Sequence, residues 1–202
     1  MMTMPSMVIC PECHSPIVFG ARGKTVTRSF RIDEAVMAAL EEESAKRSIS
    51  VNTLVNQQLL AFANFDRFHS RLDLVKFTGG SLQKLLDAAT DEKIADAAVV
   101  AALDTPRSIM LSKFGQVTFE STLEFIKMLA QYGNLFEYSL SDSPDGKVIT
   151  LFHRFGPKGS LFLEKYIGVL LEQMGYTSKT ETSPHSVDFV VQKRKDATPS
   201  RR

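Results

Sequence analysis

The sequence predicts an α+β protein with three parts: an N-terminal strand–helix–helix unit, a helical connector, and a C-terminal αββαββ domain carrying a four-stranded antiparallel sheet. Three observations predict it. Residues 25–33, TVTRSFRID, alternate in character: Val26, Phe30 and Ile32 fall on one parity and Thr25, Thr27, Ser29 and Arg31 on the other. Such alternation marks a half-buried strand. Apolar residues then recur at helical spacing behind capping residues. Finally, LAQYG (129–133) and LEQMG (171–175) each precede a strand, a Ser-Pro turn and another strand, at offsets of 42 and 40 residues. Two tandem helix–strand–strand units make one antiparallel sheet with helices on one face.

Composition bounds the class. The 202 residues are 44% apolar and 23% charged with a net charge of +1, ordinary values for a globular chain. No apolar run approaches the ~18 residues of a membrane helix, and MMTMPSMVICPEC lacks the basic and apolar segments of a secretory signal. The expected location is cytoplasmic and nucleoid-associated, with no membrane partner. Whole-molecule charge gives no argument for nucleic acid. Between Gly20 and Asn52, however, six Lys/Arg stand against five acids, with four of the bases in or just before the strand.

Taken in order, residues 1–22 read as a flexible arm bearing CPECH (10–14). Cys10 and Cys13 have the spacing of half a zinc site, but the chain holds no third cysteine and a structural zinc needs four ligands. Two alternatives stay open: an arm with free thiols, or one zinc ion shared by Cys10 and Cys13 of two chains. Residues 24–64 form the strand–helix–helix unit. Asp33 caps a helix over Glu34–Lys46, RSIS breaks it, and Ser50 caps a second helix in which Val51, Leu54, Val55, Leu59 and Phe62 share a face. The apolar pattern runs on through Phe65, Phe68, Leu72 and Val75 into the connector, residues 65–105.

After the break at TGGS (78–81), helices are expected at 81–89 and 91–103, the second capped by Thr90 or Asp91. The DTP at 104–106 ends that pair, and SIMLSKF (108–114) is a strand candidate. The C-terminal domain, residues 106–194, continues with a helix capped by Thr118 and closed by Gly133. LFEYSL and KVITLFHRF then flank the hairpin signal SDSPDG. A helix over Ser160–Met174 and two strands about TSPH complete it. The basic, breaker-rich residues 195–202 read as a disordered tail.

A lone strand with one apolar face is unstable by itself. The economical solution pairs two chains antiparallel, closes four helices over the ribbon, and leaves the polar face outside. A two-stranded ribbon fits the DNA major groove. TRSFRIDEAVMAALEEESAKRSISVNTLVNQQL resembles the ribbon-helix-helix DNA-binding fold of the Arc/MetJ/CopG superfamily, over about residues 24–62. The resemblance implies that Thr27, Ser29 and Arg31 touch bases and that Ser50, Val51 and Asn52 clamp a backbone phosphate. Residue chemistry agrees: Arg is bidentate to guanine, Ser and Thr adapt to several base edges, and a helix start favours a phosphate. Lys24 precedes the strand as a phosphate contact. Arg28 occupies the parity that the family usually keeps apolar and would have to snorkel to a phosphate.

Farther on, FHRFGPKGSLF (152–162) places His153, Arg154, Lys158 and Ser160 about a Gly-rich turn and helix start, a candidate anion or effector site whose plainer reading is a loop with an N-cap serine. No nucleophile, base and oxyanion set is assembled, so no enzyme is expected. With only His153 and His185 and no Cys in residues 78–195, the nickel site of some ribbon-helix-helix relatives is not expected. The function expected is a dimeric, sequence-specific transcription regulator bound to double-stranded DNA, its C-terminal domain sensing a small-molecule or protein effector or building higher homo-oligomers. The alternative is an antitoxin whose C-terminal part binds a toxin.

Overall fold

The computed structural model describes residues 26–69 and 76–194. Cys10, Cys13, Lys24, Thr25 and the tail at 195–202 lie outside the described residues. The chain divides into two compact units, Met1–Arg71 and Leu72–Arg202.

In the first unit, α1 spans Glu34–Lys46 and α2 spans Val51–Ala61. Each begins where a side chain replaces a missing backbone acceptor. Asp33 accepts from the Ala35 amide at 3.0 Å and Ser50 from the Thr53 amide at 3.0 Å, satisfying donors that a helix start otherwise leaves bare. Between the helices the chain reverses at Ser48, whose φ is +53°. Helix α2 passes through a π-turn, Phe62–Asp66, into α3, Arg67–His69, so the apolar pattern continues as helix. Residues 26–33 form no strand in the single chain.

The second unit begins with α4, Gly79–Ala88, capped by Thr78, and α5, Asp91–Phe114, capped by Thr90. Two expectations fail here. DTP does not end a helix, and residues 108–114 are not a strand; α5 runs straight through Pro106. A mid-helix proline removes one backbone hydrogen bond and crowds the carbonyl four residues back. Against that cost, Ile94, Ala98, Ala102, Pro106 and Met110 recur every four residues and are all buried, one unbroken stripe on a helix that packs against α7. The expected boundary between connector and C-terminal domain, at 105/106, therefore falls inside one helix.

A capping box between Thr118 and Ser121 starts α6, Phe119–Gly133, and the left-handed Asn134 ends it. The hairpin β1, Glu137–Ser143, and β2, Gly146–Phe152, leads to α7, Gly156–Gln173, then to β3, Tyr176–Thr182, and β4, Ser186–Lys193. The sheet is antiparallel in the order β1-β2-β4-β3, and the αββαββ order read from the sequence is observed. The repeat is visible in the register. Glu137 pairs with Phe152 and, 40 positions on, Thr177 pairs with Gln192. At the central β2/β4 junction Ile149 pairs with Phe189, its own equivalent at that offset, so a pseudo-two-fold axis passes through this pair. One face of the sheet, with Ile149, Leu151, Val187, Phe189 and Val191, is buried, and α6 and α7 both pack against the sheet.

Candidate nucleic-acid interface

Thr27, Arg28, Ser29 and Arg31 are all exposed. So are the apolar residues of the other parity: Val26 is 78% and Phe30 74% accessible, and Ile32, Val36, Leu59 and Phe62 are exposed as well. In this unit only Leu54 among the large apolar side chains described is buried. The single chain thus holds an amphipathic segment and two helices whose apolar surface the described residues of the unit leave largely uncovered. Burial of such side chains stabilises by roughly 1.5–3 kcal/mol each, a driving force left unused here.

At the start of α2 the geometry suits an anion. The Ser50 hydroxyl takes the Thr53 amide and lies 2.8 Å from the Thr53 hydroxyl. The amides of Val51 and Asn52, the first two of the helix, have no acceptor among the described residues. Free donors at the positive end of a helix dipole favour a phosphate. Sequence reading named these three residues, and the structure places them together at one helix end.

The second candidate group is brought together only in part. Helix α7 starts at Gly156, not Ser160, and Pro157 suits its first turn, where a missing N–H costs no helical bond. Ser160 therefore sits inside the helix, buried, with its hydroxyl donating to the Ser183 carbonyl at 2.5 Å. The His153 Nδ1 accepts the Phe155 amide at 3.2 Å, which leaves Nε2 to carry the proton and donate to Ser160 Oγ at 2.9 Å. Burial, reinforced by the nearby His185, lowers the His153 pKa below 6.5. A Cβ added at Gly159 would stand 3.3 Å from the His153 ring and 2.3 Å from the Phe155 Cβ, so the ring rests on a position that only glycine leaves open. This chain of bonds ties α7 to the turn between β3 and β4.

Lys158 is turned elsewhere. Its ammonium donates to the carbonyls of Asp87, at 3.1 Å, and Ala89, closing the C-terminal end of α4 where a cation complements the helix dipole. Arg154 alone stays exposed. It lines a cleft of about 590 Å³ with Lys127, Phe136, Tyr138 and Phe152, between the end of α6 and the start of β1. Burial, with Glu124 adding to it, pushes the Tyr138 phenol up to about 12. Neither Lys127 nor Tyr138 carried any sequence signal for this placement, which arises where helix and strand ends meet. His153, Arg154, Lys158 and Ser160 thus do not form one anion site. No helix among the described residues is long and apolar enough to cross a membrane. Comparison with known proteins gives no matching family model and no matching curated relative.

Proposed function

We propose that the protein is a homodimeric, sequence-specific DNA-binding transcription regulator of ribbon-helix-helix type, with the C-terminal unit serving an effector or self-association. The observation that carries this reading is the exposed apolar parity of Val26, Phe30 and Ile32, together with Val36, Leu59 and Phe62. Antiparallel pairing of two chains over residues 26–32 gives these side chains a common core and turns Thr27, Ser29 and Arg31 outward. Arg31 is the bidentate donor of that face, suited to guanine, while Thr27 and Ser29 adapt to neighbouring edges. The bare amides of Val51 and Asn52 supply a phosphate contact that fixes register without reading sequence. An edge strand designed only for solvent would carry Lys or Glu rather than Thr, Ser and Arg.

The test is selection of bound duplexes from a random double-stranded pool by the full chain. The expected result is one enriched motif with two-fold symmetry, matching the symmetry of the paired ribbon. A pool that gains no sequence preference after repeated rounds would refute the reading.

A further inference from the structure

The sheet has two open edges, β1 and β3, and they differ. Strand β3 carries Lys179 and Glu181 near its centre, a usual protection against edge pairing. The centre of β1 is Ser139–Leu140–Ser141. The hairpin closes with Ser143 opposite Gly146, so in the alternating antiparallel pattern Ser143, Ser141, Ser139 and Glu137 bond to β2. The main-chain groups of Tyr138, Leu140 and Asp142 therefore face away from the sheet. Leu140 lies opposite Ile149 and on its face. Ile149 is fully buried, while Leu140 is 40% exposed, so α6, though packed on β1, leaves this position open. Between them runs a groove of about 580 Å³, walled by Glu120, Leu123, Glu124 and Lys127 of α6 and by Tyr138 and Leu140 of β1.

We propose that this edge and groove are occupied by β1 of a second copy of the chain, paired antiparallel about a two-fold axis through Leu140. The strand is self-complementary in that register. Leu140 meets Leu140, Tyr138 meets Asp142, Ser139 meets Ser141 and Glu137 meets Ser143. No like charges stand opposite each other, and the raised pKa of Tyr138 is that of a neutral phenol able to donate to the second copy's Asp142. The polar pairing of Tyr138 with Asp142 and the main-chain pairing thus choose one register together. The product is an eight-stranded sheet with its helices on one face. This contact uses no residue of the N-terminal unit and is independent of the DNA-binding reading.

The test uses the full chain with Cys10→Ser and Cys13→Ser as background. Opposed residues of a non-hydrogen-bonded antiparallel pair stand about 4.5 Å apart at Cα, within disulfide range. Ser139→Cys with Ser141→Cys should give a covalent dimer under mild oxidation. Either single variant alone should give none, and a mixture of the two should give it again. Adding Leu140→Lys should abolish the cross-link by setting two ammonium groups at the axis, whereas adding Phe30→Asp should leave it intact. Absence of a covalent dimer from the double-cysteine protein, with circular dichroism and melting unchanged from the background, overturns the proposal. So does an equal yield from a single-cysteine variant, or loss of the cross-link in the Phe30→Asp protein.

Discussion

The two units bury their apolar residues differently. In the C-terminal unit the alternation of Ile149 and Leu151, or of Val187, Phe189 and Val191, ends in a closed core supplied by helices of the same chain. In the N-terminal unit an alternation of the same quality, Val26, Phe30 and Ile32, meets no partner strand among the described residues and stays exposed. Composition does not separate them. What separates them is topology: the C-terminal chain returns on itself twice through Ser-Pro hairpins, and the described N-terminal chain brings no second strand back to residues 26–32. A fold whose strand has no intramolecular partner takes its stability from association, so it melts out on dilution; a closed core folds within one chain.

Phe30→Asp should break the difference most completely. In the paired ribbon it buries two carboxylates per dimer at a cost of several kcal/mol each. The concentration-dependent transition and all DNA binding should vanish from the full chain, while the transition of the C-terminal unit stays in place by calorimetry. Phe189→Ala is the converse experiment. It opens a cavity at the pseudo-two-fold axis and should cost about 3–5 kcal/mol, lowering the C-terminal transition while leaving the N-terminal one in place.

Arg31→Ala should leave both transitions alone. Titration against the selected duplex should show a loss of about 1–3 kcal/mol per contact together with relaxed preference at one base pair in each half-site. Lys24→Ala should instead weaken selected and scrambled duplexes alike and flatten the salt dependence.

The smallest expected effect is a pH dependence confined to the C-terminal unit. His153 is held neutral, its pKa below 6.5, so the unfolded chain binds the extra proton first. The contribution is fully present above about pH 6.5 and is lost as pH falls through the lower folded pKa. Melting of this unit should drop in that window, and His153→Gln should flatten the drop. An unchanged slope in the variant would assign the acid sensitivity to other groups.

Much of this was legible in local chemistry. Asp33, Ser50 and Thr118 cap the helices they were expected to cap, and of the two candidates Thr90 and Asp91 the cap is Thr90, because an N-cap is decided within four residues. The two Ser-Pro hairpins and their common offset followed from turn residues and strand alternation. What failed was decided at long range. Pro106 reads as a breaker, and only the stripe buried against α7 keeps α5 continuous. Ser160 reads as a cap, yet its partners are His153 and the distant Ser183 carbonyl. Lys158 reads as an anion ligand and instead closes α4, some 70 residues earlier in the chain. The proposed ribbon is the extreme case, since the partner it assigns to residues 26–32 is a second molecule.

Amide hydrogen exchange across residues 27–32 of the full chain, followed through a dilution series, tests that partnership most directly. The account predicts slow exchange at high concentration that becomes fast on dilution, with β2 and β4 protected throughout. Fast exchange of residues 27–32 at every concentration, with or without the selected duplex, would contradict it.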